Sequence, residues 1–180
     1  MSTVISHALV GVTIGVVSAR TAMTPRFWIL TALCATLPDL DGLGLRLGIP
    51  YDHLFGHRGF GHSLCFATLL ALLVTRLGFA EIPRLSSRWW RLWLYFTMVA
   101  ASHGITDAMT DGGLGVAFFS PFVNTRYFLP WRPLVVPPVQ FFALFSSWGM
   151  EVLVSELLYL WLPSLLLLTS IYSYRRLRHA

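Results

Sequence analysis

Lysine is missing from this chain of 180 residues: its thirteen basic residues are all arginine, set against only eight Asp plus Glu. Charged residues make up 12%, where a soluble domain carries about 25%. That scarcity excludes an ordinary soluble surface. The composition is 56% hydrophobic with a mean hydropathy of +0.66, so the excess apolar surface needs lipid or a large partner. There are two cysteines, Cys34 and Cys65, both inside apolar runs; buried free thiols are expected, not a disulfide framework. No Lys/Arg-rich segment precedes the first apolar run and no clear small-residue cleavage site follows, so residues 1–20 are expected to be mature structure. Neither a repeat nor a low-complexity tract is present. The arginines flank apolar runs and form no stripe interleaved with aromatics. This net charge of +5 therefore suits headgroups and topology, and no nucleic-acid partner is expected.

A spanning helix needs roughly 20 mostly apolar residues. Five runs are candidates: Val4–Ala19, Phe27–Leu37, Ser63–Ala80, Trp89–Ala108 and Val152–Tyr174. The first is short and contains glycine. The second is shorter still and suits a partial span or a helix packed inside the bundle. Pro163 is a candidate kink in the fifth. The expectation is one all-α domain over residues 1–180, an integral membrane helical bundle of about four to five spans. Residues 109–150, rich in Pro, Gly and aromatics, are expected to form an irregular outer cap. If all five runs cross, Arg20, Arg26, Arg76, Arg84, Arg88, Arg91, Arg175, Arg176 and Arg178 share one side, and Arg46, Arg58, Arg126 and Arg132 the other. The richer side is cytoplasmic by the positive-inside tendency. Trp89, Trp90 and Trp93 beside Arg88 and Arg91 suggest an interfacial belt.

The few ionisable groups are not scattered. Asp39, Asp41, Asp52, His53, His57 and His62 lie between Pro38 and Ser63; His103, Asp107 and Asp111 follow in a second stretch. With the topology set by arginine alone, His7, Asp39, Asp41, His57, His62, His103, Asp107 and Glu151 all fall at the non-cytoplasmic ends of their runs. His103 and Asp107, at i and i+4, share one helix face. Asp39 and Asp41 follow Pro38 at i and i+2; a loop can aim both inward, whereas a helix separates them. Paired carboxylates repel unless a cation or a shared proton intervenes. His57 and His62 bracket Arg58-Gly59-Phe60-Gly61, and the glycines permit a turn tight enough for both imidazoles to converge.

A mixed imidazole and carboxylate set suits zinc, and also Mn or Fe. The candidates, His7, Asp39, Asp41, His57, His62, His103 and Asp107, exceed the need of one tetrahedral ion, which points to two or more metals. Arg58 is a candidate for binding phosphate and steadying developing charge. Asp111 is a candidate ligand or water-orienting base, and Thr106 and Thr110 can orient ligands. Single His or Asp residues in a membrane can be structural pairs, for example an Asp with Arg58. The combined set favours a functional site, because ionisable residues there are costly. Asp52 is expected to be a solvated loop residue, His53 is balanced between loop and ligand, His179 belongs to the basic tail, and Glu156 suits a structural hydrogen-bonding role.

His7, Leu37-Pro38-Asp39-Leu40-Asp41, the His57 to Ser63 segment and His103-Gly104-Ile105-Thr106-Asp107-Ala108-Met109-Thr110-Asp111-Gly112-Gly113 together resemble the YdjM family of bacterial inner-membrane, proposed metal-dependent hydrolases. The resemblance covers residues 1 to about 125 and implies a multi-pass inner-membrane protein with a metal-dependent hydrolase site. More distantly, His103-x-x-x-Asp107 is similar to the zinc phospholipase C and zinc-dependent single-strand nuclease group, which uses three zinc ions on phosphodiesters. That group's later His-x-x-x-Glu would fall at Ser147 to Glu151, where the histidine is missing. The resulting expectation is a membrane-bound (phospho)hydrolase acting on a lipid or lipid-linked phosphoester from the non-cytoplasmic side. The alternatives are a divalent-cation or proton transporter and a non-catalytic scaffold with a structural metal.

Overall fold

Hydroxyl side chains start most of the helices. In the computed structural model, which describes residues 2–18, 23–138 and 145–179, Thr24, Ser63, Ser86 and Ser146 each accept a hydrogen bond from the backbone N–H three residues on. Each cap satisfies a donor that the first helical turn leaves unpaired. The helices are α1 (Val4–Ser18), α2 (Pro25–Thr36), α3 (Gly42–Arg46), α4 (Leu64–Gly78), α5 (Ser87–Ala108), α6 (Ser147–Glu156) and α7 (Leu162–His179). The expected runs coincide with these elements to within a few residues, except that the fifth begins earlier. Ser147 to Met150, expected in the cap, are helical. Arg20, used for the topology, and residues 139–144 of the cap lie outside the described residues.

Pro38 ends the α-helical geometry of α2. A 3₁₀ turn, Leu37–Asp41, follows directly and runs into α3. The second apolar run is thus longer than the sequence suggested: Pro25–Arg46 is a continuous helical stretch of 22 residues, long and apolar enough to cross a membrane. Ser147–Arg178, 32 residues, is the other stretch that meets this standard among the described residues. α1 and α4 have 15 residues each, about 22 Å at 1.5 Å per residue, which is short of the roughly 30 Å hydrocarbon core. Apolar side chains nevertheless face outward along α4 (Leu69, Leu72, Leu73, Leu77) and α7 (Leu165, Leu166, Leu167).

The break in the last helical column is a π turn, Leu157–Trp161, just ahead of Pro163. Proline has no N–H for the carbonyl four residues back, and widening the preceding turn accommodates it. The wider turn brings Glu156 and Trp161 round to the same neighbour. The Glu156 carboxylate accepts from Thr3 N (2.5 Å), Thr3 Oγ1 (2.6 Å) and Ser6 Oγ (2.7 Å), and Trp161 Nε1 donates to Ser6 Oγ (2.6 Å). Glu156 therefore fastens α1 to the last column, the structural role expected of it.

α1, α2, α4 and α5 close around Phe27, Cys34, Ala35, Ala71, Tyr95, Phe96 and Val99. Both cysteines are free thiols, as expected; Cys34 is buried, as expected, and Cys65 is only half-buried. The tryptophan belt is corrected: Trp89 is buried in this core and Trp93 donates to the Thr68 carbonyl, leaving Trp90 exposed. α1 lies close because glycine faces its neighbours. A Cβ on Gly11 would meet Ala35 Cβ at 2.8 Å, and one on Gly15 would meet the Trp28 ring at 2.6 Å. Small residues at i and i+4 permit such approach between membrane helices, and His7 continues the same face one turn earlier. Gly11→Leu is expected to destabilise the fold by about 1–3 kcal/mol through overpacking and to shift His7. Denaturant unfolding followed by tryptophan fluorescence measures the first effect, and an unchanged midpoint would contradict the close packing.

Candidate metal centre

Three imidazoles are each anchored through Nδ1, which leaves Nε2 directed at a common point. His103, on α5, bonds through Nδ1 to the Ala35 carbonyl (2.7 Å). His7, on α1, bonds through Nδ1 to Thr106 Oγ1 (3.0 Å), whose own hydroxyl proton has the Ser102 and His103 carbonyls as acceptors. His62, in a 3₁₀ turn (Phe60–His62) before α4, bonds through Nδ1 to Asp41 Oδ2 (2.8 Å). A partner that accepts at Nδ1 fixes the proton there and leaves the Nε2 lone pair free. This support is typical of metal-binding histidines. The His62 and His103 Nε2 atoms are 3.1 Å apart, and the His7 and His103 rings stack at 3.6 Å.

Two carboxylates complete the set. Asp107, one helical turn beyond His103, sits 3.3 Å from His62 Nε2 and 3.4 Å from His7 Nε2. Asp39 Oδ1 is 3.2 Å from His103 Nε2 and 3.7 Å from His62 Nε2. Both Asp39 oxygens are buried, and among the described residues neither accepts a hydrogen bond. Ligand atoms of a tetrahedral zinc, about 2.0–2.1 Å from the ion, stand about 3.3 Å from one another. The separations here fit that spacing, and the donor set is the nitrogen and oxygen type that zinc, manganese and iron accept.

The spacing of Asp39 and Asp41 resolves in an instructive way. They lie on a 3₁₀ turn with about three residues per turn, so i and i+2 diverge. Asp39 faces His7 and His103. Asp41 takes the other direction and bonds His57 Nδ1 (2.6 Å) with one oxygen and His62 Nδ1 with the other. Two groups of potential ligands result, His7/Asp39/His103/Asp107 and Asp39/His57/His62, with Asp39 common to both. Asp41 is placed behind the imidazoles as an orienting partner. Gly61 leaves room for it, since a Cβ there would lie 3.0 Å from Asp41 Oδ2.

Arg58 occupies a different place from the one expected. It is fully buried, with a left-handed backbone at φ 60°. Its Nε lies 3.2 Å from Asp107 Oδ2, its Nη1 donates to the Gly112 carbonyl (2.8 Å) and its Nη2 to Thr110 Oγ1 (2.8 Å). A guanidinium engaged at all three nitrogens braces Asp107 and the cap; it does not present a fork to a phosphate. Asp111 also lies away from the cluster: it is exposed, and its Oδ1 accepts from Val136 N (2.8 Å). His53 is an exposed loop residue whose Nδ1 accepts from Phe55 N. Asp52 and Glu151 are exposed as well.

Several residues at the site carry no motif. Ser2 donates from its backbone N to Asp107 Oδ1 (2.9 Å), and its Oγ lies 2.9 Å from His7 Nε2. Arg126, from the cap, holds the loop in place by donating to the carbonyls of His57 (2.9 Å) and Tyr51 (2.8 Å). Tyr51 packs edge-on to His57. Ser2 lies five residues before His7, ahead of α1, and no helical spacing points to it; nothing in the sequence pairs Arg126 with residue 57.

Among the described residues Arg58 is the guanidinium in contact with this group, and it pairs with Asp107; Asp39 and Asp41 face imidazoles. Burial is the largest influence on His57 and lowers its basicity, despite the bond to Asp41. For His62 burial acts the same way, but Asp107, Asp39 and Asp41 outweigh it and raise its pKa well above the usual value.

Residues 1–178 match the family model described as YdjM inner membrane protein, and the chain belongs to that family. It is 36% identical over 181 residues to the protein named inner membrane protein YbcI of Escherichia coli (strain K12), an alignment covering 98% of this chain and 100% of the relative. No solved structure matches the chain. The family and its relative place the protein in the bacterial inner membrane, and the buried His/Asp group is one that could hold a metal ion.

Removing an orienting partner of a metal-bound histidine typically costs 10–100-fold in affinity. Asp41→Asn is therefore expected to weaken zinc binding about 10–100-fold, read by calorimetric titration of the detergent-solubilised protein. Because a proton and a metal compete for His62, whose pKa is raised, zinc affinity should rise with pH through and above the usual imidazole range, with proton release. An affinity independent of pH would contradict a site built on His62.

Proposed function

We propose that this protein is a membrane-bound metal-dependent hydrolase that cleaves a phosphoester or phosphodiester of a lipid or lipid-linked substrate. The observation that carries this reading is the pair of ligand groups that share Asp39. A carboxylate between two sets of imidazoles suits two divalent ions, zinc foremost, with manganese or iron as alternatives. Ions held there would supply Lewis acidity to a phosphoryl oxygen and to the attacking water.

His7, His103, Asp39 and Asp107 would hold one ion, and His57 and His62, with Asp39, the other. Asp41 keeps two imidazoles aimed, Thr106 and the Ala35 carbonyl fix two more, and Arg58 braces Asp107. The side chains of Asp39, Asp41 and His57 are 8%, 11% and 5% exposed, against 0–1% for His7, His62 and Asp107. Substrate would therefore approach over the Asp39, Asp41 and His57 edge.

For topology we propose four to five crossings, with the cluster on the non-cytoplasmic side and α1 and α4 as shortened members of the bundle. Arginine distribution supports this orientation. A thiol placed at Asp52 in a chain lacking Cys34 and Cys65 should react with impermeant maleimide on intact spheroplasts; labelling only after lysis would reverse the orientation.

Burial of the cluster favours one alternative, a scaffold whose metal is structural and has no open position. Transport fits less well, since the core below the cluster is apolar, built from Ala71, Phe96 and Val99. The discriminating experiment is hydrolysis of phosphodiesters, including phospholipids, by the zinc-loaded protein and by His103→Ala and Asp39→Ala. Loss of about 100-fold or more in kcat/KM, at least 2.7 kcal/mol of transition-state stabilisation, is expected in both. Undiminished activity in both would end the proposal.

A further inference from the structure

An apolar groove of about 590 Å³ opens beside the His/Asp cluster, between the first turns of α4 and the cap. Leu64, Cys65 and Thr68 form one wall, and Phe118, Phe119 and Phe122 the other. Its volume lies within the range of ligand sites, roughly 300–1,000 Å³. The walls are fixed to each other, because Leu64 N donates to the Phe118 carbonyl (3.0 Å). They are also fixed to the cluster. His62 and Ser63 lead directly into α4, Ala117 N donates to the Arg58 carbonyl (3.0 Å), and the Phe118 ring stands over Gly104, the residue after His103. One backbone layer thus separates the groove from the imidazoles.

We propose that this groove binds one acyl chain of a membrane phospholipid, holding the headgroup at the level of the His/Asp cluster. The proposal rests on the hydrolase reading for the purpose of the site, but not for the binding itself. Continuity with the surrounding surface identifies the occupant. Thr68 leads into Leu69, Leu72, Leu73 and Leu77, the outward apolar face of α4 in an inner-membrane protein. What covers that face is lipid, so what enters the groove from it is hydrocarbon. Phe122, 86% exposed, and Phe119, about half exposed, project from the cap at the groove's rim, where a water-facing loop gains nothing from two phenyl rings.

The test uses the full chain in vesicles of phosphatidylethanolamine and phosphatidylglycerol containing a phosphatidylglycerol with a diazirine near the end of one acyl chain. After irradiation, crosslinks are mapped by mass spectrometry. Crosslinks per residue at Leu64, Phe119, Phe122 and Val123 should exceed several-fold those at Leu165 to Leu167, which are comparably exposed on α7. Thr68→Trp, which fills the groove, and Phe122→Ala, which removes part of its rim and sits at the surface, should both bring the excess down to the α7 level while zinc content stays unchanged. Crosslinks distributed in proportion to exposure, or an excess that survives both variants, would overturn the proposal. Phospholipid hydrolysis measured on the same samples separates the two readings. An excess without turnover leaves a lipid site and removes the hydrolase; turnover without an excess removes the groove alone.

Discussion

Lone pairs and carboxylates facing one another inside an apolar bundle are the constraint on which the rest of this structure depends. Each imidazole is held at Nδ1 from outside, so none can turn its proton inward to relieve its neighbours without losing a bond. Asp39 brings buried oxygens that no donor among the described residues satisfies. In a medium of low dielectric, such a group is tolerated only with compensating positive charge. Arg58 meets part of this need at Asp107. A divalent cation held by the imidazoles and Asp39 would meet more of it.

Much of the surrounding architecture serves to keep this arrangement in place. α1 must lie close enough for His7 to stack on His103, and two glycines facing Ala35 and Trp28 allow it. Glu156 and Trp161, brought together by the π turn before Pro163, hold the start of α1 from the other side. The cap contributes through Arg126, which fixes the loop carrying His57, and through Thr110 and Gly112, which receive Arg58. A bundle of poorly fitting helices would place the same residues near one another without converging their Nε2 atoms.

The helices were legible in the sequence because apolar run length and hydroxyl caps are local signals. Convergence of His7, Asp39, His57, His62, His103 and Asp107 was legible because charge is so scarce here that its placement carries information. Asp41 and Arg58 were harder to read. A 3₁₀ turn decides that Asp39 and Asp41 diverge, and its geometry follows from the junction of α2 with Pro38, not from the i, i+2 spacing. Arg58 looked like a phosphate ligand because it lies between two candidate metal ligands, yet it is buried with a left-handed backbone and pairs with Asp107. Asp111 sits one turn beyond Asp107 in sequence, but the helix ends at Ala108 and the cap takes the carboxylate away. The Ala35 carbonyl, Ser2 and Arg126 act through backbone or long-range contacts that composition and spacing do not encode.

The central claim is that a cation bound by imidazole and carboxylate makes this buried cluster stable. X-ray absorption at the zinc edge on the purified, zinc-loaded protein tests it most directly. Expected is a first shell of nitrogen and oxygen only, at about 2.0–2.1 Å, with the outer-shell scattering of more than one imidazole. A sulfur shell at about 2.3 Å, which would mean binding at Cys34 or Cys65, or zinc no higher than in a His103→Ala control, would contradict it.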